Sequence, residues 1–428
     1  MYYSTVQKCR ICGNPDLTEV IGLGEQYLAS SFVADNSKEE LSKIRIPLTL
    51  VLCDRSKNES ACGLVQLKET VDRDLMYRSY FYRSGTNPMM REALQDIVKE
   101  ISQKITLNPG DHVLDIGCND GTMLSYFPTD TIRRGIDPAQ NIDISGLDKS
   151  ITIIKDYFSG PKVFNASGGA KFRSISSVAM FYDLDDPNAF VSEIKSVLAP
   201  DGVWCVQLSH LPTTLETLNF YDICHEHLLY YSLQVLENLM NRHDLYIFDA
   251  SLNTVNGGSL RIFVTHKNNP RPISAALAEI YEKEKQMRLY DAETYREFSR
   301  KIDALKKTTL DFIKAEKEKG GMVIGLGAST KGNVLLQFFG IDKKMIPYLS
   351  ERNPEKVGLK TLGTDIELVS EERARELKPS AMLVLIWFFK DELIKRERPY
   401  LEQGGKLFFP MPYPHIITKN GEEKLHSA

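Results

Sequence analysis

The chain has 428 residues, of which 42% are hydrophobic and 26% charged, a composition typical of soluble globular proteins. This length exceeds one ordinary hydrophobic core, so we expect two or three domains. The net charge of −4 gives no electrostatic basis for binding nucleic acid or an anionic membrane surface, and neither partner is expected. No apolar stretch approaches the roughly 20 residues that cross a bilayer, and the first residues lack the layout of a signal peptide. We therefore expect a cytoplasmic protein.

Four of the seven cysteines fall within the first 62 residues. They form a C-x-x-C pair and a more widely spaced pair: Cys9, Cys12, Cys53 and Cys62. Two such knuckles can place four thiolates around Zn²⁺, whereas an odd total of cysteines argues against a disulfide framework. A catalytic zinc normally includes His or water, and no His precedes His112, so we predict a structural zinc in a small domain over residues 1–75. A redox C-x-x-C or unrelated buried thiols are the alternative.

The most informative pattern is an apolar strand that runs into a glycine-containing turn over residues 113–121, VLDIGCNDG. Gly117 and Gly121 let the backbone approach a ligand without an intervening Cβ, and the helix expected next presents free N–H groups. The turn differs from G-x-G-x-x-G, because Asp115 within it would repel a diphosphate and attract an ammonium. A cofactor with an amino-acid end fits better than NAD. The turn therefore predicts an S-adenosylmethionine methyltransferase; an ordinary α/β strand, turn and helix is the alternative.

Two later strand ends extend this site. Asp137 ends the second strand about twenty residues on, where an acidic residue usually accepts hydrogen bonds from two ribose hydroxyls. Asp156 and Tyr157 follow the third strand and could hold the adenine amino group and ring face. An Asp before Pro, as at 137, is also a common turn former. Together the three signals, in the expected order, favour the methyltransferase.

The remaining pattern predicts a class I methyltransferase domain, Rossmann-like, over residues 76–255. Its expected elements are a helix over Met89–Ile105, a fourth strand over Val178–Tyr182, a helix over Val191–Leu198 and a fifth strand over Gly202–Leu208. A long polar helical stretch, Ala275–Lys319, separates this unit from another. The chain is thus predicted to be α/β, with a small zinc domain followed by two Rossmann-like domains.

The second Rossmann-like domain, expected over residues 256–428, opens with strand, glycine turn and helix at 322–333. This turn is basic and rich in hydroxyls, which suits an anion such as a phosphate at a helix N-terminus. Ser329 would supply a donor and Lys331 a charge. A helix cap with a solvated lysine is the alternative.

A histidine-rich segment follows the fifth strand, at the carboxyl edge of the sheet where such folds place their sites. It contains His225, Glu226 and His227 beside several tyrosines. Histidine is the usual general base because its pKa lies near neutrality, so we favour acid–base catalysis. Two histidines at i and i+2 could instead chelate a metal, although no third ligand is evident. A structural polar network is the other alternative.

With these motifs in hand, the chain resembles the sugar C-methyltransferases that act on nucleotide-linked 4-keto-deoxysugars. The resemblance spans nearly the whole length, and its motifs are the C-x-x-C pair, residues 80–85, 115–121, 224–231, 257–261 and 327–333.

The resemblance implies structural zinc, a central S-adenosylmethionine domain and a carboxyl domain that helps hold the nucleotide sugar. His227 would remove the proton α to the ketone, with Glu226 orienting or polarising and His225 beside them. Cys224 stands where family members carry a tyrosine, so Tyr80, Tyr82 or Tyr230 would supply any phenol. The expected catalytic residues are His225, Glu226, His227 and Tyr82. The expected cofactor-binding residues are Asp115, Gly117, Asn119, Gly121, Asp137, Asp156, Tyr157, Tyr80 and Ser84. The expected substrate-binding residues are Ser329, Lys331, Asn333 and Arg261.

Two rival functions are consistent with the same sequence. Methyl transfer to oxygen or nitrogen of a sugar or other small metabolite would need a base only for a hydroxyl or amine. The second is a zinc-bearing binding protein with an inactive methyltransferase fold. The presence of Asp115, Asp137 and Asp156 in the expected cofactor site argues against it. A nucleotide-sugar substrate and a monomer or homodimer are expected.

Overall fold

Three larger β-sheets, joined by exchanged strands, form the protein. The computed structural model describes residues 2–36, 38, 40–77 and 82–425. The largest cluster of buried apolar side chains contains residues from all three sheets, for example Leu50, Ile175 and Leu383. The three parts of the chain therefore share one continuous core. Over the described ranges, no helix combines the length and apolarity that a bilayer crossing requires.

The first region is a small antiparallel unit. Its elements are β1 (Tyr3–Thr5), β2 (Leu17–Gln26), β3 (Phe32–Val33), β4 (Ile46–Cys53), β5 (Val65–Leu67), β6 (Glu69–Val71) and α1 (Asp74–Tyr77), with a 3-10 helix at Glu40–Lys43. β4 pairs with β2 and β5, and β1 pairs with β6. β4 is largely buried, and it carries Cys53 at its end.

The central region is a seven-stranded sheet covered by helices. Its elements are α2 (Pro88–Lys104), β7 (His112–Ile116), β8 (Ile132–Ile136), β9 (Ile151–Ile154), α3 (Gly160–Ala166), β10 (Phe172–Val178), α4 (Pro187–Val197), β11 (Leu198–Ser209), α5 (Leu211–Glu216), β12 (Leu229–Tyr230), α6 (Leu233–Arg242), β13 (Leu245–Asn253) and β14 (Ser259–His266). The strand order is β13-β14-β11-β10-β7-β8-β9. β9, β8, β7, β10 and β11 run parallel, whereas β14 and β13 are antiparallel additions. Since the order reverses at β7, a ligand crevice is expected at its carboxyl end.

Helix α2 shows why this region folds as it does. Asn87 caps the helix by accepting a hydrogen bond from the Met89 N–H, and Pro88 occupies the first turn, where no N–H is needed. Its buried apolar residues lie at helical spacing, Leu94, Ile97, Val98 and Ile101.

Several predicted element bounds differ from the structure. The α-helix expected directly after Gly121 is wrong, because only a 3-10 turn, Met123–Tyr126, follows. The fourth strand ends at Val178, and the residues expected to continue it form a 3-10 helix, Phe181–Asp183. This difference arises at Ala179, whose φ of 53° reverses the backbone.

The third region is a second α/β sheet that follows two helices. Its elements are α7 (Ala275–Gln286), α8 (Ala292–Glu318), β15 (Val323–Leu326), α9 (Thr330–Phe339), β16 (Tyr348–Glu351), β17 (Lys360–Thr361), β18 (Glu367–Ser370), α10 (Glu371–Glu376), β19 (Ala381–Val384), α11 (Lys390–Arg396), α12 (Arg398–Glu402), β20 (Leu407–Phe409), β21 (His415–Thr418) and β22 (Gly421–Lys424). The order is β22-β21-β20-β19-β15-β16-β18-β17-β3.

Strands cross the expected domain boundaries. β3 of the first region completes the third sheet by pairing with β17, and β12 of the central region completes the first sheet by pairing with β5. The boundary expected at 255/256 falls between β13 and β14, which pair in one sheet. The three regions are therefore held together by backbone hydrogen bonds as well as by apolar contacts.

Candidate active site

Four cysteine thiols meet beside the first sheet. Their Sγ atoms all lie within 4.8 Å of one another, with 3.5 Å from Cys9 to Cys62 and 3.5 Å from Cys12 to Cys53. Zinc–sulfur bonds of about 2.3 Å in a tetrahedron separate the sulfurs by about 3.8 Å, so the cluster has the size of a Zn²⁺ site. The wide spacing of the second pair does not prevent closure. The predicted four-thiolate arrangement is confirmed.

The glycine turn after β7 has the backbone that its sequence predicted. Gly117 and Gly121 have φ values of 72° and 77°, in the left-handed region that favours glycine. A Cβ on Gly117 would lie 2.9 Å from the Met180 side chain. Asn119 also has a positive φ, 52°, which Asn tolerates better than most residues. The turn therefore has little room for larger side chains.

Asp115 places an acidic group at the base of this turn. Only 3% of the residue is exposed, and its carboxylate accepts a hydrogen bond of 2.8 Å from the Ser176 hydroxyl. Burial raises the pKa of Asp115 to about 7; the Ser176 bond opposes the rise, and the charges of Asp137 and Asp120 add to it. A cationic ligand would relieve this cost, because its charge favours the ionised carboxylate. The site thus fits the ammonium end of S-adenosylmethionine.

Asp137 and the segment before α2 complete the surroundings of the turn. Asp137 accepts backbone hydrogen bonds from Asn119 (2.8 Å) and Ala139 (2.9 Å), which fix its carboxylate at the end of β8. The Asn119 amide accepts from the Ser84 N–H at 2.9 Å and donates to the Tyr82 carbonyl at 3.1 Å. The structure therefore brings Ser84 to the predicted cofactor turn. Tyr80 lies outside the described residues.

Tyr82 lies beside the cofactor turn. The residue as a whole is 43% exposed, but desolvation of the hydroxyl end, together with the charge of Asp120, raises its pKa to about 12. A catalytic role for Tyr82 stays a prediction.

Asp156 and Tyr157 follow β9 as expected, but their recorded contacts hold the chain in place. Asp156 forms an ion pair with Lys162. The Tyr157 hydroxyl donates to Asp74 at 2.8 Å, and the Arg73 guanidinium lies 4.0 Å from the centre of the Tyr157 ring. These two contacts join the residues after β9 to the start of α1, and an adenine contact stays a prediction.

His227 lies at the carboxyl edge of the central sheet. Its Nδ1 is 2.8 Å from the backbone carbonyl of Asp222. A carbonyl oxygen can only accept, so Nδ1 carries the proton and Nε2 keeps its lone pair. Burial lowers the pKa of His227, while the Asp222 charge opposes the change, so the ring is neutral at pH 7. The Tyr182 ring packs against the imidazole, with centroids 4.2 Å apart.

Asp222 is a buried carboxylate that the sequence analysis did not identify. Its side chain is 2% exposed and forms an ion pair with Lys331 of the third region. Burial raises its pKa, but the charge of Lys331 and its hydrogen bond lower it by more, so the net shift is downward. Asp222 is therefore an anion between the predicted base and the predicted phosphate ligand. No local motif marked it, because its partner is 109 residues away in sequence.

Glu226 turns its carboxylate into the same region. The residue is 5% exposed, and neither carboxylate oxygen has a hydrogen-bond partner within the described structure. The Tyr77 hydroxyl donates to the Glu226 backbone carbonyl at 3.0 Å and lies within hydrogen-bonding reach of the Asp183 carboxyl. Tyr77 and Asp183 thus join the cluster although neither was among the predicted residues.

His225 is directed away from this cluster. It is fully buried, and its Nε2 donates to the Ile46 carbonyl of β4 at 3.2 Å. Its neighbour His227 points elsewhere because residues 223–228 form a turn and not a strand. The alternative in which both histidines chelate a metal is not supported, since the cysteines form the one candidate metal cluster among the described residues.

The predicted substrate residues of the third region mostly serve the fold. Ser329 caps α9 by accepting from the Gly332 N–H, and Asn333 donates to the Ala29 carbonyl at 2.6 Å. The Lys331 ammonium forms an ion pair with Asp222 and donates to the Asn256 carbonyl at 3.3 Å. The alternative of a solvated lysine beside a helix cap is therefore not supported.

Arg261 is also engaged elsewhere. Its side chain is 2% exposed and bonds Asp96 (3.0 Å) and Glu100 (2.9 Å) of α2. It therefore ties β14 to α2 and is not brought to the turn of the third region.

Comparison with known proteins agrees with this division of the chain. Residues 9–77 match the family model described as "Putative zinc binding domain", residues 88–249 match "Methyltransferase domain", and residues 254–412 match "C-methyltransferase C-terminal domain".

Two curated proteins are similar in sequence. The chain is 28% identical to C-methyltransferase NovU of Streptomyces niveus over 417 residues, which covers 96% of this chain and 97% of that protein. It is 27% identical to sphingolipid C9-methyltransferase A of Emericella nidulans over 186 residues, 38% of this chain and 34% of that protein. Among solved structures, magnesium protoporphyrin IX methyltransferase from Synechocystis, with bound S-adenosylhomocysteine, aligns with 12% identity and a TM-score of 0.33, covering 42% of this chain and 88% of that one.

Proposed function

We propose that this chain, an S-adenosylmethionine-dependent C-methyltransferase with an N-terminal zinc-binding domain, methylates the carbon α to the ketone of a nucleotide-linked keto-deoxysugar. His227 is the general base. The observation that carries this proposal is the hydrogen bond from His227 Nδ1 to the Asp222 carbonyl, which leaves a basic Nε2 on a neutral, partly buried imidazole. The substrate class rests on the resemblance of the whole chain to sugar C-methyltransferases.

The base works through orientation and charge. His227 Nε2 takes the proton from the α carbon, and the C–H electron pair moves into the enolate of the sugar. The anionic Asp222 next to the ring stabilises the imidazolium that forms. The paired Lys331 limits the negative charge on this side, so the enolate does not meet an uncompensated anion. The imidazolium later returns its proton to solvent.

When bound, S-adenosylmethionine supplies an electrophilic methyl group on a sulfonium. Transfer of that methyl to the enolate carbon would form the new carbon–carbon bond and leave the carbon–sulfur electron pair on the departing thioether. Asp115 and Asp137 would hold the amino-acid and ribose ends beside the glycine turn. Held there, the donor would lie at the sheet edge that also carries His227, and such positioning would supply much of the rate.

Hydrogen exchange tests the base directly. Wild-type protein is incubated in D₂O, without S-adenosylmethionine, with a panel of nucleoside diphosphate-linked 4-keto-6-deoxysugars, and loss of the α-proton signal is followed by NMR. We expect exchange at the α carbon, and His227→Asn should reduce its rate by about 10²- to 10⁴-fold, the usual contribution of a general base.

His243→Asn is the matched control. His243 lies at the C-terminus of α6, where its ring bonds the Asn188 side chain of α4 and has no part in the proposed site. Unchanged exchange in His227→Asn would contradict the assigned base. A product with its new methyl on oxygen or nitrogen, seen by the carbon chemical shift, would contradict C-methylation of this substrate class.

A further inference from the structure

Asp183 stands at a place where the central sheet meets both parts of the proposed site. It ends the 3-10 helix Phe181–Asp183, which follows β10 after the backbone reversal at Ala179. Met180, just before this helix, packs against Gly117 of the cofactor turn. The helix therefore begins beside the cofactor turn and runs from it toward the histidine segment.

The same helix is fixed to the His227 loop. The Leu228 N–H donates to the Tyr182 carbonyl at 2.9 Å, and the Tyr182 ring packs against the His227 imidazole at 4.2 Å between centroids. Asp183 comes directly after Tyr182, so its backbone position is set by two contacts with the loop that carries the base. The carboxyl group of Asp183 lies close enough to Glu226 and Asp222 of that loop for their charges to act on it.

The surroundings of the Asp183 carboxyl are acidic. The Oδ1 atom is buried and has no hydrogen-bond partner within the described structure. The Tyr77 hydroxyl lies within hydrogen-bonding reach of the carboxyl, and the charged groups that act on the carboxyl are the carboxylates of Glu226 and Asp222. Lys331, a cation of this cluster, is paired with Asp222.

Burial and the neighbouring carboxylates favour the neutral form of this carboxyl group. Burial raises the pKa of Asp183 well above its ordinary value, and the charges of Glu226 and Asp222 raise it further. The interaction with the Tyr77 hydroxyl acts in the opposite direction. A neutral carboxyl has one O–H donor, which an ionised carboxylate lacks. Glu226, 5% exposed with two unpartnered oxygens, independently indicates that a ligand with polar groups occupies this space.

We propose that Asp183 is a further catalytic residue, which contacts the acceptor as a neutral carboxylic acid and donates a hydrogen bond to the ketone oxygen that becomes the enolate oxygen. This inference rests on the proposed function. The proton stays on Asp183 throughout, so the group stabilises the developing negative charge without being consumed. Glu226, with acceptor oxygens only, would bind a sugar hydroxyl.

Substitutions separate the donor from the charge. Asp183→Asn keeps an N–H donor of similar shape that cannot ionise, whereas Asp183→Ala removes the donor. We expect Asp183→Asn to keep α-proton exchange within about tenfold of wild type, and Asp183→Ala to lose about 10²- to 10³-fold, as when one donor to a developing oxyanion is removed. Asp185→Asn is the matched control, since its 71% exposed carboxylate lies two residues away and pairs with Arg10. S-adenosylhomocysteine titration shows that each variant keeps a folded cofactor site.

The protonation state has its own test, which needs no substrate. In protein labelled with ¹³C-carboxyl aspartate, the signal missing from Asp183→Asn identifies Asp183, and we expect it to be that of a neutral acid at pH 7. An ionised signal, or an Asp183→Asn variant as slow as Asp183→Ala, would overturn the inference. If wild type exchanges no ketosugar while the neutral signal is present, the proposed function fails and the assigned state of Asp183 stands.

Discussion

Replacing Asp115 by Asn should stabilise the protein and weaken its cofactor binding at the same time. The folded pKa of about 7, against the ordinary 3.8, means that ionised Asp115 opposes folding. A carboxyl group with a raised folded pKa is most favourable to folding below its unfolded pKa, and this contribution is lost as pH rises toward the folded pKa. The penalty reaches about 3 kcal/mol at pH 6 and about 4 kcal/mol at pH 8. Asn keeps the shape and can accept the Ser176 hydrogen bond without this cost.

The assay is unfolding of the cofactor-free protein at pH 6 and pH 8, for wild type, Asp115→Asn and the exposed control Asp130→Asn. Asp115→Asn should be the most stable at both values, and its advantage should grow by about 1 kcal/mol between them. The direction of both differences follows from the burial of Asp115.

Cofactor binding should change in the opposite direction. A hydrogen bond between charged groups contributes about 1.5–3 kcal/mol, so Asp115→Asn should bind S-adenosylmethionine about 10- to 100-fold more weakly. For wild type, affinity should fall about tenfold between pH 8 and pH 6, because binding then requires loss of a proton from Asp115. Calorimetry in buffers of different ionisation enthalpy should detect about half a proton released at pH 7. An Asp115→Asn variant that is less stable than wild type at pH 8, or wild-type affinity independent of pH, would refute the reasoning.

Two further predictions concern the links between regions. Lys331→Met should destabilise the protein by about 3–5 kcal/mol, because it leaves the Asp222 carboxylate buried and unpaired. Adding Asp222→Asn to this variant should restore most of the thermal stability. Equal melting temperatures for wild type and Lys331→Met would contradict the buried pair. Elemental analysis should find one zinc per chain. Because β5 and the Ile46 carbonyl hold the histidine segment, removal of the zinc by a chelator should abolish α-proton exchange but change S-adenosylhomocysteine affinity by less than about tenfold. Full exchange activity in zinc-free protein would contradict this coupling.

The sequence predicted those features that depend on neighbouring residues. The glycine turn, the acidic residue within it and the C-x-x-C pair each express a local requirement, either a left-handed backbone or closely spaced ligands. The α/β class followed from alternating strands and helices for the same reason.

Other features depend on contacts between distant residues, which no local pattern contains. The two histidines are equivalent in sequence, but the turn at 223–228 sends His225 to β4 and leaves His227 at the site. Lys331 matches a phosphate-binding pattern, yet Asp222 neutralises it across two regions. Arg261 lies close to a glycine motif in the chain but is committed to α2 by two carboxylates.

The site itself depends on all three regions being assembled. The histidine segment is fixed by β12 pairing with β5 of the zinc-binding region, by Tyr182 of the central region and by Lys331 of the third. The cofactor turn, by contrast, is built within β7, β8 and the residues just before α2. The proposed cofactor site therefore needs mainly the central region, whereas we expect the proposed base, His227, to reach its working geometry only when the flanking regions are docked. This division explains why the small zinc-binding region, remote in sequence from the methyl-transfer chemistry, is joined to the sheet edge by main-chain hydrogen bonds.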